Sequence, residues 1–430
     1  MLEVIGLIIA MILLVFLAMK GIHVLAIALI CSSILALTSG MNVYTVLSEA
    51  YMPGLSSFIT ANFLVFLAGA LFGKFMTDSH AADAIAAWIV KKLGASKAVL
   101  AVILSCFVLA YGGVSVFVVG FAVFPIAVSL FREADLPRNM LPGTIGFGSI
   151  TFAMTCPGTP QIQNIIPGNT LGTTPMAGAV VGIIAGVFMF IVGYIWLNSM
   201  IKKEIAKGVR WYDKEGENYT KVAEEDLPGV VPSFLPLIVT IVTMNVFGVP
   251  AAAAIFLGIV VGVIVLNKTY KPNMIMSTFT GGATSAISAI MNTSAVVGFG
   301  AVVKTIPLFQ VILDALLSIP GPPLVGAAVA ITVICGLTGS ASGGLGIAVP
   351  LIGPSYVAMG VVPEALHRVA SIASGALDSV PHNGYIVTLL NLCNTTHKES
   401  YMPLFWLTVV LPFIACALAI VLFQFFPMLP

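Results

Sequence analysis

At 430 residues, with 59% hydrophobic side chains, 8% charged ones and a net charge of +1, the chain has a membrane composition, since soluble proteins carry roughly 25% charge. The balance excludes a nucleic-acid partner, which needs a basic patch, and no metal cluster, nucleophile elbow or nucleotide-binding loop points to an enzyme. The six cysteines (Cys31, Cys106, Cys156, Cys335, Cys393, Cys416) are scattered in apolar stretches and read as small core residues, so neither a metal site nor a cofactor is expected.

Apolar runs of the roughly 20 residues that a spanning helix needs fall at about 2–19, 22–40 and 59–77. The first has no basic leader and no cleavage site, so it reads as a retained helix rather than a signal peptide. An amphipathic stretch near 80–94 follows, then an apolar pair at about 97–131 with Tyr111-Gly112-Gly113 at its tip. A span broken at Cys156-Pro157-Gly158-Thr159-Pro160, at about 139–166, and a long span at 174–200 close the first half. The segment 202–226 holds about a third of the charges and reads as a solvated linker. The second half runs through spans at 232–248, 251–267 and 283–303 and an amphipathic stretch at 306–318. An apolar pair at about 322–358 follows, split by Thr338–Gly344. A span at about 364–395, broken at Val380-Pro381-His382-Asn383-Gly384, and a last span at 402–427 complete it.

The halves repeat one another. Asn62, Lys74, Ser115 and Pro125 precede the first break as Asn292, Lys304, Ser340 and Pro350 precede the second, and the Asn-to-Lys and Ser-to-Pro intervals are equal in both. Each copy counts about five transmembrane helices plus one re-entrant hairpin and a broken helix; the odd number inverts the second copy. The expected fold is an all-α polytopic membrane protein with inverted-topology repeats at 1–200 and 231–430, joined by a cytoplasmic linker at 201–230. Charge supports this. Lys20, Lys91, Lys92, Lys97, Arg132, Arg138, Lys202, Lys203, Lys268, Lys271 and Lys398 all fall on one side, which the positive-inside rule makes cytoplasmic. Lys304 and Arg368 are exceptions; His367 and Arg368 read as interfacial anchors or an entry field for anions.

Duplicated spans broken by Pro and Gly at matching positions point to a transporter's substrate site. Half-helix N-termini offer free N–H groups and about half a positive charge to an anion. The candidate ligands are Ser115, Thr159, Gln161 and Asn164 in the first half, with Ser340, Ser342, Gly343, Gly344, His382 and Asn383 in the second. Thr159 and Gln161 could instead satisfy backbone freed by the break, Ser115 and the glycines could serve packing, and Asn62 and Asn292 could be structural or site-lining. Asp378 is an acidic residue well inside a span, where burial costs at least about 2.5 kcal/mol. With His382 one turn on, it is the candidate proton carrier, the alternative being a helix cap that does not titrate.

Ala373-Ser374-Gly375-Ala376-Leu377-Asp378-Ser379-Val380-Pro381-His382-Asn383-Gly384, with Thr388-Leu389-Leu390 and Thr396–Tyr401, closely resembles the gluconate permease (GntP) family of bacterial carboxylate/proton symporters. The stretches Pro157–Pro167 and Ser342–Ala348 look most like its D-β-hydroxybutyrate permease branch. The resemblance implies proton-coupled uptake of a small hydroxy-monocarboxylate across the bacterial inner membrane, with elevator-type motion in a homodimer. The few cationic side chains at the site suit one carboxylate. A gluconate symporter, a sodium-coupled carboxylate carrier using carbonyls near Asn62 and Asn292, and a passive anion channel are the competing readings.

Overall fold

The computed structural model describes residues 2–19, 22–94, 97–214, 222–317, 319–381 and 383–426, and these are helical with no strands among them. Lys20 and His382 lie outside the described residues. Helices α1 (Leu2–Met19) and α2 (Val24–Thr38) pair with each other. Next, α3 (Val43–Val46), a π-type turn at Leu47–Tyr51 and α4 (Met52–Asp78) join into one rod. Its 36 residues reach about 54 Å, well past a hydrocarbon core of about 30 Å. The span expected at 59–77 is therefore only part of this element; Ser48, Glu49, Ser56 and Ser57 in its leading turns hide the rest from a hydropathy reading.

A 14-residue α6 (Ala98–Tyr111) follows the amphipathic α5 (Ala81–Leu93) and pairs with α7 (Val116–Glu133). Beyond it, α8 (Leu141–Gly146) continues into a π-type turn at Phe147–Thr151, the chain is non-helical over 152–161, and α9 (Ile162–Leu171) resumes. The first half ends with α10 (Ala179–Ala206). The second begins with α11 (Val230–Asn245), α12 (Ala251–Val265) and α13 (Ile275–Val303), the last starting before the expected 283. Then come α14 (Pro307–Leu317) and the pair α15 (Pro323–Thr338) and α16 (Ala341–Ala358). α17 (Pro363–Ser374) and α18 (Gly384–Leu392) flank a second non-helical stretch described at 375–381 and 383. Finally, α19 (His397–Leu404) and α20 (Leu411–Phe425) are joined by a π-type turn at Phe405–Val410.

The rising arms α6 and α15, at 14 and 16 residues, climb about 21 and 24 Å, short of a full crossing. Gly113 (φ 98°) and Gly339 (φ 58°) turn the chain at the two tips in the left-handed region that favours glycine. Both return arms carry an internal proline, Pro125 in α7 and Pro350 in α16.

The halves interleave. α9 packs on α16 and α17, α18 packs on α7 and α8, and α10 lies on α20. α4 and α13 form the most extensive pair, made close by small residues. A Cβ on Gly282 would sit 2.7 Å from Leu71 Cδ2, and one on Gly298 3.0 Å from Tyr51 O. One apolar core surrounds α1, α2, the start of the long rod and the end of α13. A larger core holds both hairpins and both broken helices. The cysteines are free thiols, five buried and Cys156 half-buried.

At one end of the bundle the linker folds back onto the helices. Asp213 accepts from Arg132 Nη2 at 2.5 Å, and the buried Arg138 lies 5.1 Å from the Trp211 ring and donates to Cys393 O at 3.0 Å. Lys214 donates to Asn394 O. Residues 210–214 are thus tied to the helix ends, while Arg210, Tyr212 and Asp213 remain exposed as expected of a solvated linker.

Candidate functional site

The first break brings backbone polar groups into an apolar interior, where each unpaired group costs about 1–3 kcal/mol. Five consecutive carbonyls meet a side-chain donor there. Thr155 O accepts from Arg368 Nη1 at 2.6 Å and Cys156 O from Asn164 Nδ2 at 2.9 Å. Pro157 O accepts from Tyr111 OH at 2.9 Å, Gly158 O from Asn245 Nδ2 at 2.8 Å, and Thr159 O from Asn164 Nδ2 at 3.3 Å. The same side of the site is tied to the first hairpin tip. Thr159 Oγ1 donates to Tyr111 O at 3.0 Å, and Gln161 Nε2 donates to Ala110 O at 2.6 Å and Val114 O at 3.1 Å. Thr159, Gln161 and Asn164 therefore spend these donors on backbone carbonyls of the break and tip. Ser115 stands at the start of α7, half-buried, with no cap bond from its hydroxyl.

Arg368 and His367 are fully buried, which corrects their reading as interfacial anchors. Arg368 Nε and Nη2 donate to Ala177 O at 2.9 and 2.7 Å, Nη2 to Pro175 O at 3.0 Å, and Nη1 also to Asn164 Oδ1 at 2.9 Å. His367 Nδ1 bonds Thr173 Oγ1 at 2.6 Å. Glycines make the room: a Cβ on Gly182 would fall 2.5 Å from Pro157 Cγ and 2.8 Å from Arg368 Cδ. Among the described residues no carboxylate lies within ion-pair distance of Arg368. Carbonyl dipoles alone meet its charge, which leaves a positive field near the first break. The signal in the sequence is a single arginine followed by Val369–Ala373, apolar apart from Ser371; its partners lie about two hundred residues away.

The second break is built around Asp378. Its Oδ1 accepts from Ser379 Oγ at 2.8 Å, and the carboxylate faces the backbone N–H groups of Ala341 and Ser379. Ala341 opens α16, so an internal carboxylate sits at the N-terminus expected to be open to a ligand. Ser340 caps that helix, its Oγ accepting from Gly343 N at 3.2 Å and lying 3.2 Å from Ser342 Oγ. Gly344 packs against Cys335 with no room for a Cβ, and Gly343 is buried beneath the Ser340 cap. Asn383 caps α18 through Ile386 N at 2.9 Å and donates to Gly339 O at 3.0 Å, tying break to tip. Tyr401 OH holds Ser379 O at 3.0 Å, and His397 Nε2 lies 2.8 Å from Pro381 O.

The two breaks meet. A Cβ on Gly375 would stand 3.8 Å from Thr155 Cγ2, and Ser149 Oγ in the π-type turn at Phe147–Thr151 is 2.9 Å from Tyr385 OH in the first turn of α18. Each hairpin tip thus abuts one break and the breaks abut each other. Paired interruptions of this kind, in a bundle with six helices long and apolar enough to cross a membrane among the described residues, belong to a multi-pass membrane transport protein. The fold is similar to the crystal structure of the YdaH transporter of Alcanivorax borkumensis, described as having an unusual topology. The TM-score is 0.62 over 88% of both chains, at 14% identity.

The chain belongs to the GntP permease family, whose family model matches residues 2–257. It is 35% identical to the uncharacterized transporter YxjC of Bacillus subtilis over 95% of this chain and 96% of that protein. An uncharacterized transporter of Haemophilus influenzae is 25% identical over 80% of both chains.

Proposed function

We propose that the chain is a secondary active transporter that carries a small hydroxy-monocarboxylate, of the 3-hydroxybutyrate type, into the cell together with a proton. It works by alternating access of the elevator type, as a homodimer in the bacterial inner membrane, with no cofactor. The observation that carries this reading is the Asp378 carboxylate facing the first N–H of α16, beside Ser340 and Ser342. A substrate carboxylate seeks the same helix end. Two anions on one N–H repel, so the site accepts cargo when Asp378 is protonated, and proton and anion enter as a neutral pair. The field of Arg368 favours an anion nearby, and the serine hydroxyls and Asn383 suit a hydroxyl or keto oxygen.

The test is uptake by purified protein in liposomes, with 3-hydroxybutyrate, acetoacetate, lactate, gluconate and citrate offered in turn under a pH gradient, with and without Na⁺. Proton-driven accumulation of one of the smaller acids is expected. Asp378→Asn should abolish accumulation while counterflow exchange persists. Normal gradient-driven uptake in that variant ends the coupling proposal; a strict Na⁺ requirement, preference for gluconate, or flux that never concentrates cargo moves the chain to the sodium carrier, gluconate symporter or channel reading.

A further inference from the structure

A cavity of about 320 Å³ opens between α4, α9, α13 and α16, away from the Asp378 cluster. Its walls include Ser57, Asn62, Asn169, Thr170 and Lys304 among apolar residues, and Lys304 is the ionisable one. Asn169 is exposed, and among the described residues its side chain makes no hydrogen bond. No acidic side chain lines the cavity, so its potential is set by one cation.

The matched lysine of the other half has a different setting. Lys74 pairs at 2.5 Å with Asp78, one turn further along its helix, and Asp78 also accepts from Thr278 Oγ1 at 2.6 Å. At Lys304 the corresponding residue is Leu308, and no ion pair forms among the described residues. A neighbouring carboxylate, Glu3, instead accepts from Leu308 N at 3.2 Å at the start of α14. The two halves thus carry the same cation at the same register, neutralised in one and left open over a cavity in the other. The cavity lies on the face reached by the end of α13 and the end of α9, opposite the docked linker and the Lys74 end of α4.

We infer that this cavity is a capture site for a small organic carboxylate on the extracytoplasmic face, with Lys304 supplying the charge and the Asn169 amide and the second N–H of Asn62 the hydrogen bonds. Asn62 Nδ2 otherwise donates to Phe58 O at 3.0 Å, and Thr170 Oγ1 is spent on Ile166 O at 3.0 Å. It is distinct from the Asp378 site and shares with that reading only the sign of the cargo. An anion held here stands against Gly346 and Pro350 of α16, on the arm whose N-terminus Asp378 faces.

The test places a reporter thiol in the wall, Ser57→Cys at an exposed position, and measures its modification from outside intact cells by an anionic and a cationic methanethiosulfonate reagent. Native cysteines serve as background. The anionic reagent should react preferentially, and Lys304→Gln should lower the anionic-to-cationic rate ratio roughly tenfold, while Lys304→Arg preserves it. Millimolar 3-hydroxybutyrate or lactate should slow labelling only where the charge is present. Asn169→Cys, exposed on the opposite wall, repeats the charge-ratio measurement should Ser57→Cys fold poorly. Absence of labelling from outside at both positions, or a ratio that moves less than about twofold on loss of Lys304, overturns the proposal. Labelling requires no transport, so this result and the Asp378→Asn result stand or fall separately.

Discussion

Arg368 donates to Thr155 O, Pro175 O, Ala177 O and Asn164 Oδ1 from a fully buried position. A planar guanidinium spans acceptors lying in several directions, which a lysine ammonium on its single stem does not match. Arg368→Met leaves those acceptors unpaired and should cost about 3 kcal/mol or more. Arg368→Lys should lose nearly as much, although it keeps the charge. Thermal melting of the detergent-purified protein checks this; a lysine variant as stable as wild type would show that charge, and not the fork, is what matters. The partners of this residue are not visible in the local sequence. Asp378, Ser340 and Asn383 stand out locally, beside glycine and proline, and do gather at one tip. Arg368 looked like a boundary charge because no neighbour in sequence reveals the carbonyls of 155, 175 and 177.

Among elements, the two broken helices are joined by Ser149 Oγ and Tyr385 OH, 2.9 Å apart. The π-type turns at Phe147–Thr151 and Phe405–Val410 add a second tie, Thr151 Oγ1 to Leu407 O at 3.1 Å. Tyr385→Phe should destabilise by about 1 kcal/mol, and a double-mutant cycle with Ser149→Ala should show that the effects are not additive. Additive losses would mean that each hydroxyl is satisfied elsewhere. Helix positions were legible from apolar runs, but lengths were not. The rod through Val43–Asp78 carries polar residues in its leading turns, and its depth in the bundle is set by fit against α13 through Gly54 and Gly298, which hydropathy does not register.

For the molecule as a whole, the docked linker is the testable feature outside the spanning segments. Hydrogen bonds from Trp211 and Arg132 hold the Asp213 carboxyl below its ordinary range. A lowered folded value means that docking is favoured above the unfolded value of about 3.9 and lost as pH falls through the lower folded value. Trp211 fluorescence should therefore be steady from neutrality to about pH 4 and change only below it, with Asp213→Asn abolishing the transition. A midpoint near neutrality would assign the change to another group. The linker's charge was plain in the sequence; its docking was not, because Arg132, Arg138 and Asn394 are far from it along the chain.

The carbonyls of residues 155–159 have a consequence for how cargo is handled. With every one of them braced from four separate helices or loops, that stretch has no spare valence to offer and little freedom to rewind when a guest arrives. Under the proposed function, adaptation would fall to the opposite side, Asp378 with Ser340 and Ser342, where a change in the carboxylate's protonation would free the start of α16. Two breaks that match in sequence thus differ in how firmly their backbone is held.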